Sequence, residues 1–208
     1  MMDPQATTAV EFREFHKIPR YSREVLVSEK IDGTNASVFI GEDGTFLTGC
    51  RTRWITPDKD NHSFSRWAHE HMEELKTLGP GHHFGEWWGN GIQRGYGLKN
   101  GDKRFSLFNL TRWCLHGQEP QPINSSDPRN VRMQDVLPPC VGLVPLLWRG
   151  LFDDLDAKAL LQDLAVGGSR AVPGYMNPEG IVVFHTAAGI CFKKTVKQDD
   201  VPKSKAST

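Results

Sequence analysis

The chain has 208 residues, with 25 Lys and Arg against 25 Asp and Glu, 38% hydrophobic and 10% aromatic residues. That length fits one domain with its own core, and the zero formal charge excludes binding nucleic acid by bulk positive charge while leaving room for a local basic cleft. The aromatic content excludes a disordered chain, no apolar run reaches the ~18 residues of a membrane span, and the opening Met1-Met2-Asp3-Pro4-Gln5 lacks the basic and apolar regions of a signal peptide, so the expected location is the cytoplasm, or a host cytoplasm for a viral chain.

Residues 1–9 read as a flexible lead-in. Val10, Phe12 and Phe15 then mark a strand or short helix before Pro19. Val25-Leu26-Val27 is a β-branched run leading into Ser28-Glu29-Lys30. Residues 36–40 read as the next strand, Gly41-Glu42-Asp43-Gly44 as a hairpin turn and Phe46-Leu47 as its return. Ser63 as cap predicts a helix to about Leu78, with Phe64, Trp67, His71 and Leu75 on one face, ended by Gly79-Pro80-Gly81. Strands are expected over 82–88 and 105–110, and a surface loop over 117–130. A strand over 141–148 is interrupted at Pro145, and a helix over 155–164 has an acidic start. Gly167-Gly168-Ser169 breaks that helix, and two strands, 180–185 and 190–196, turn about Gly189. The tail 197–208 is polar. Strands dominate with short connections, which indicates an α+β fold with largely antiparallel sheets in a single domain over 1–208.

Cys50, Cys114, Cys140 and Cys191 form no C-x-x-C pair. Structural zinc is therefore not expected, and the thiols read as reduced, buried and inert.

The chemistry concentrates in Glu29-Lys30-Ile31-Asp32-Gly33-Thr34-Asn35. A lysine closes an apolar strand, carboxylates flank it, and Gly33 allows a tight turn and close approach to a ligand. A lysine is a nucleophile only when neutral, far from its ordinary pKa of about 10.4. By itself the string also reads as a solvated strand-end lysine before a turn.

The string does not stand alone. K-x-D-G-x-N resembles motif I of the covalent nucleotidyltransferases, in the RNA ligase 2-like branch marked by its final Asn. Phe84-Gly85-Glu86-Trp87-Trp88-Gly89 resembles motif III, Pro178-Glu179-Gly180-Ile181-Val182-Val183-Phe184 motif IV, and Phe192-Lys193-Lys194-Thr195 motif V. Gly49-Cys50-Arg51-Thr52-Arg53 resembles the arginine segment after motif I, and Phe105-Ser106-Leu107-Phe108-Asn109-Leu110 the aromatic segment before motif IV. The resemblance covers roughly residues 25–205, in the family's order.

The resemblance implies a fold of two mainly antiparallel sheets with flanking helices and a nucleotide cleft between them. It implies an ATP-dependent RNA ligase that uses Mg²⁺ or Mn²⁺. Lys30 attacks the α-phosphate of ATP and carries AMP, which passes to a 5′-phosphate end before a 3′-hydroxyl seals the strand. Glu179 holds the metal, and Glu86 binds ribose. Lys193 or Lys194 meets the α-phosphate, and strand alternation allows only one to face the site, with Lys193 favoured. Arg51 or Arg53 meets ribose or phosphate, and alternation would set both on one face. Phe105 or Phe108 stacks on adenine, Glu29 recognises the adenine amine, Asp32 and Asn35 support metal-bound water or the phosphates, and Ile31 belongs to the nucleotide site. Trp87 or Trp88 is a candidate for stacking on an end base.

Five Lys against two Asp in 193–208, and five basic residues against Asp102 in 94–112, offer a phosphate path. The motif V segment departs from the K-x-K pair of many relatives, and Asn109 stands where many have Asp. The chain leaves no room after motif V for the C-terminal domain that larger relatives carry, so sealing is expected to rely on this core or on an accessory protein. Two rivals remain: a DNA ligase of the same superfamily, which the Asn35 ending disfavours, and a nucleotide- or end-binding protein that has lost sealing. Partners are nucleic-acid ends, with no membrane.

Overall fold

The structure, a computed structural model, describes residues 11–113 and 137–197. The expectations placed on 1–9, Val10, Cys114, 117–130 and 198–208 lie outside them. Residues 11–20 carry no regular structure. Phe12 and Phe15 are exposed, so their alternation finds no face to bury against and builds neither strand nor helix.

Two sheets form, as the resemblance implies. The smaller holds β1 (Glu24–Lys30), β8 (Leu146–Leu151), β9 (Gly180–His185) and β10 (Ile190–Thr195), in the order β10-β9-β1-β8. The larger holds β2 (Thr34–Ile40), β3 (Phe46–Cys50), β4 (Trp54–Ile55), β5 (Gly81–Gly89), β6 (Lys103–Leu107) and β7 (Val141–Leu143), in the order β4-β3-β2-β5-β6-β7. All pairs are antiparallel except β6 with β7. The 141–148 strand is thus two strands in two sheets. Pro145, which lacks an N–H, marks the crossover, and its carbonyl accepts from Glu29 N at 2.9 Å.

Three apolar layers hold these elements. Val38, Trp87, Phe105 and Leu107 pack the larger sheet under α1 (Phe64–Glu70) and α2 (Met72–Lys76). Leu26, Trp88, Tyr96 and Leu110 fill the space between the sheets. Val25, Val27, Ile181 and Val183 pack the smaller sheet on α4 (Ala157–Gly167) through Leu164. β1 is covered on both faces, which explains its unbroken Val-Leu-Val run.

The helix expected over 63–78 is two. It breaks at His71 (φ −107°), whose backbone N–H and ring Nδ1 both meet the Trp67 carbonyl. Ser63 does not cap α1. Asp60 does, with Oδ1 accepting from Ser65 N at 2.7 Å and Oδ2 from Arg66 N at 2.9 Å. The 105–110 strand stops at Leu107, and a helical turn, α3 (Leu110–Trp113), follows, with Asn109 Oδ1 accepting from Arg112 N at 2.9 Å. Asp156 caps α4 through Lys158 N and Ala159 N. Cys50 and Cys140 are half-buried, whereas Cys191 is exposed, against the expectation that all the thiols are buried. Among the described residues no helix is long and apolar enough to cross a membrane.

Candidate active site

β1 delivers Lys30 to the rim of the cleft, and Ile31 is buried between the sheets just after it. Gly33 then turns the chain into β2. A Cβ there would meet the Trp87 carbonyl and lie 2.7 Å from Trp88 Cβ, so the turn admits glycine alone. Lys30 pairs with Gly180 in the β1–β9 ladder, which sets Glu179 at its side. Lys30 Nζ donates to Glu179 Oε2 at 2.6 Å. The lysine side chain is 21% exposed and the carboxylate 2%, so the amine reaches solvent while its partner is sunk in the wall. Gly180 is also forced, because a Cβ would run into the Lys194 carbonyl.

Glu86 faces the cleft from the larger sheet, opposite Asn35 in the β2–β5 ladder. Its Oε1 accepts from Gly33 N at 3.0 Å and its Oε2 from Asn35 Nδ2 at 3.4 Å. Burial pushes its carboxyl up to about 7, with the Lys30 cation and the Gly33 N–H pulling the other way.

The reading of the sequence missed a second network behind this turn. Arg94 Nε donates to Asp32 Oδ2 at 2.9 Å, and its Nη1 donates to the Asn177 carbonyl at 3.2 Å. Asp32 N donates to the buried Tyr96 hydroxyl at 2.9 Å. The segments carrying Lys30 and Glu179 are thereby tied through one guanidinium. The available signal was the glycine density of Gly89, Gly91, Gly95 and Gly97, all at positive φ, along a path where Gln93 and Tyr96 also have positive φ. Asp32 is held by Arg94 rather than standing open.

Register settles which neighbours share the cleft face. Lys193 pairs with Val182, which pairs with Ser28, so Lys193 lies on the face of Ser28 and Lys30. Lys194 pairs with Ile181 on the opposite face, toward α4, and Thr195 takes the next cleft-facing position after Lys193. Glu29 also lies on the α4 side, since adjacent strand residues point to opposite faces. Its Oε2 accepts from Arg170 N at 2.7 Å and Ala171 N at 3.0 Å, and its buried Oε1 has no hydrogen-bond partner among the described residues. Glu29, expected to recognise the adenine amine, thus stands on the face opposite Lys30.

Of the two rings expected at adenine, Phe105 is the buried one. It is buried against Phe64 and Trp67 on the helix side. Phe108 continues the ladder through its N–H to the Phe84 carbonyl, falls on the cleft side with Ser106 and is 41% exposed. Trp87 and Trp88 are both buried, and their indole N–H groups donate to the His62 carbonyl and Ser106 Oγ, so neither offers a face to a base. Arg51 and Arg53 do not lie on a strand face. They occupy the tight turn closed by Cys50 N donating to the Arg53 carbonyl, exposed and just beyond Asn35 in register.

The basic run 94–112 is largely committed to structure. Arg94 binds Asp32, Lys103 donates to the His62 carbonyl, Arg104 pairs with Asp102 and Arg112 donates to the Leu78 carbonyl. Among the described residues no three His, Cys, Asp or Glu cluster to enclose a metal. Glu179 is a hard oxygen donor, of the type a divalent cation takes together with phosphate oxygens and water.

Known proteins compare as follows. The family model for RNA ligase matches residues 23–198. No curated protein matches the chain. Solved mutants of an RNA ligase from Naegleria gruberi share the fold. One with ATP and Mn superposes with a TM-score of 0.57 at 20% identity, covering 85% of this chain and 51% of that one. An apo form gives 0.55 at 19%, covering 83% and 49%. A form with AMP and Mn gives 0.50 at 20%, covering 84% and 50%. The chain thus spans about half the length of these structures.

Proposed function

The chain belongs to the RNA ligase family, and on that premise we propose that it is an ATP-dependent RNA ligase working through AMP carried on Lys30. The observation that carries the reading is the Lys30–Glu179 pair, a solvent-reaching amine held 2.6 Å from a buried carboxylate at one end of the cleft. The similar Naegleria structures hold ATP and Mn or AMP and Mn, which supports an adenine nucleotide and a divalent ion here.

Lys30 Nζ, having lost a proton, attacks the α-phosphorus of ATP. A P–N bond forms, the bond to the bridging oxygen breaks and pyrophosphate leaves. An oxygen of a 5′-phosphate end then attacks the same phosphorus, the P–N bond breaks and the Lys30 amine is restored. A 3′-hydroxyl attacks the 5′-phosphorus, AMP leaves and the phosphodiester closes. Mg²⁺ or Mn²⁺, when bound, would neutralise phosphate charge, and Glu179 would hold it through a carboxylate oxygen. Lys193 approaches the α-phosphate from the face it shares with Lys30. Arg51 or Arg53 meets ribose or phosphate from the turn, Glu86 accepts from ribose hydroxyls, and Phe108 stacks on adenine. Asn35 orients Glu86. Asp32 and the Arg94 bound to it hold the turn.

The test is denaturation-resistant labelling with α-labelled ATP and Mg²⁺. The wild type should take the label, Lys30→Ala should take none, and Glu179→Ala should slow labelling on the order of a hundredfold. An unlabelled wild type, or an undiminished label on Lys30→Ala, overturns the mechanism. Nicked duplex RNA, nicked DNA and single strands, offered separately, then read the substrate. Sealing of DNA alone overturns the RNA assignment, and binding without conversion identifies a module that has lost sealing.

A further inference from the structure

The cleft-facing side of the larger sheet extends beyond the nucleotide site. Alternation from Asn35 places Ser37 and Phe39 on that face along β2. Opposite Ser37 stand Phe84 on β5 and Gly49 on β3, and opposite Phe39 stand His82 and Leu47. Trp54 of β4 pairs with Gly49. A Cβ on Gly49 would lie 3.3 Å from the Trp54 ring, so glycine lets the indole lie across the sheet. Four rings result, with Phe39, Trp54 and Phe84 each in contact with His82. The His82 and Phe84 rings are parallel within 7° with centroids 5.6 Å apart, His82 and Trp54 are within 23° at 5.9 Å, and Phe39 is 4.7 Å from His82. Trp54 is 50% exposed and Phe84 58%, although both are large apolar side chains.

Burial does not explain the strip. None of the four rings belongs to the apolar layer between the sheets, and Trp54 and Phe84 stay exposed. Three observations say what would cover them. The strip is continuous with the candidate site, since Asn35–Ser37–Phe39 and Glu86–Phe84–His82 run in single file from it, about 14 Å along each strand. Past Glu86 these rows carry no carboxylate, while Arg51 and Arg53 stand exposed in the turn just before Trp54. The His82, Phe84 and Trp54 rings are near-parallel while Phe39 is tilted 47° to His82, and exposed aromatic rings of this kind accept any base by its π face.

We propose that Phe39, Trp54, His82 and Phe84 form a stacking platform for unpaired bases of a single-stranded RNA segment whose end lies at Lys30, with Arg51 and Arg53 meeting its phosphates. The inference rests on the ligase reading for the identity of the strand. Unpaired bases are required because a duplex hides the faces that the rings would meet. The platform reads no sequence, so it holds and aligns an end of any composition.

The test uses the full chain without ATP and two labelled probes, a 12-nucleotide oligouridylate and an abasic oligomer of equal length. The wild type should bind the base-bearing probe at least tenfold more tightly. Trp54→Ala/Phe84→Ala should abolish that preference, while Trp54→Phe/Phe84→Tyr should retain most of it. Both positions are exposed, and a thermal melt verifies that each variant is folded. Lys30 labelling by ATP should be unchanged in all three proteins. Equal binding of the two probes by the wild type, or a preference that survives the double alanine variant, overturns the proposal. So does a double alanine variant whose only change is its oligomeric state in sedimentation, which would make the strip a protein-docking face. Failure of the ligase reading appears separately, as absent Lys30 label with the probe preference intact.

Discussion

Glu86 meets two opposing demands. Burial disfavours its charge, while Lys30 and the Gly33 N–H favour it, and the balance raises its carboxyl from 4.5 to about 7. In the unfolded chain the group ionises near its ordinary value, so between about pH 4.5 and 7 the folded state binds more protons. Stability therefore falls as pH rises through that window and levels off above about pH 7, by at most about 3 kcal/mol. Glu86→Gln keeps an oxygen for Gly33 N and loses the titration. Denaturant unfolding at pH 5 and pH 8 should show the variant gaining on the wild type at the higher pH, and a constant difference would refute the raised value. At this scale the sequence was informative about residue types and silent about direction. The motif strings pointed to Lys30, Glu86 and Glu179 because their spacing is local. Choosing Phe108 over Phe105, or seeing that Glu29 turns toward α4, requires the register of strands far apart in the chain.

Strands were legible because a period of two survives in a short string, and Val25-Leu26-Val27 or the 82–88 run needs no distant information. Helix starts were less so. Ser63 sits where a cap belongs, but it adopts φ 66° and its side chain makes no capping bond, while Asp60 reaches over the turn to Ser65 N and Arg66 N. The positive φ of His62 and Ser63 makes that reach possible, and neither residue type announces it. Asp60→Ala should therefore cost about 1–2 kcal/mol in thermal or urea unfolding, and Ser63→Ala less than about 0.5 kcal/mol. The reverse ranking would return the cap to Ser63.

Zero net charge takes on meaning at the scale of the whole molecule. Much of the basic run 94–112 is spent on holding layers together, and Arg94 is the clearest case, since it binds Asp32 beside Lys30 and the carbonyl of Asn177 just before Glu179. Tyr96 is the matching apolar tie. Its ring lies 5.1 Å from Trp88 and 4.7 Å from Tyr175, and its hydroxyl accepts from Asp32 N in the layer between the sheets. The same burial pushes that phenol well above the ordinary tyrosine range, so it stays neutral at any working pH. Tyr96→Phe preserves the ring and removes the acceptor, leaving the Asp32 N–H without its partner. The cost should be about 1–3 kcal/mol. It should concentrate where the sheets meet, with amide exchange at Asp32 and Gly33 accelerating while amides of α1 and α2 hold their protection. The turn after Lys30 would then loosen, and ATP labelling should slow more than the loss of stability at the assay temperature accounts for. A variant that melts lower, exchanges faster everywhere and labels at the wild-type rate would show that Tyr96 is packing alone and does not set the Lys30 turn.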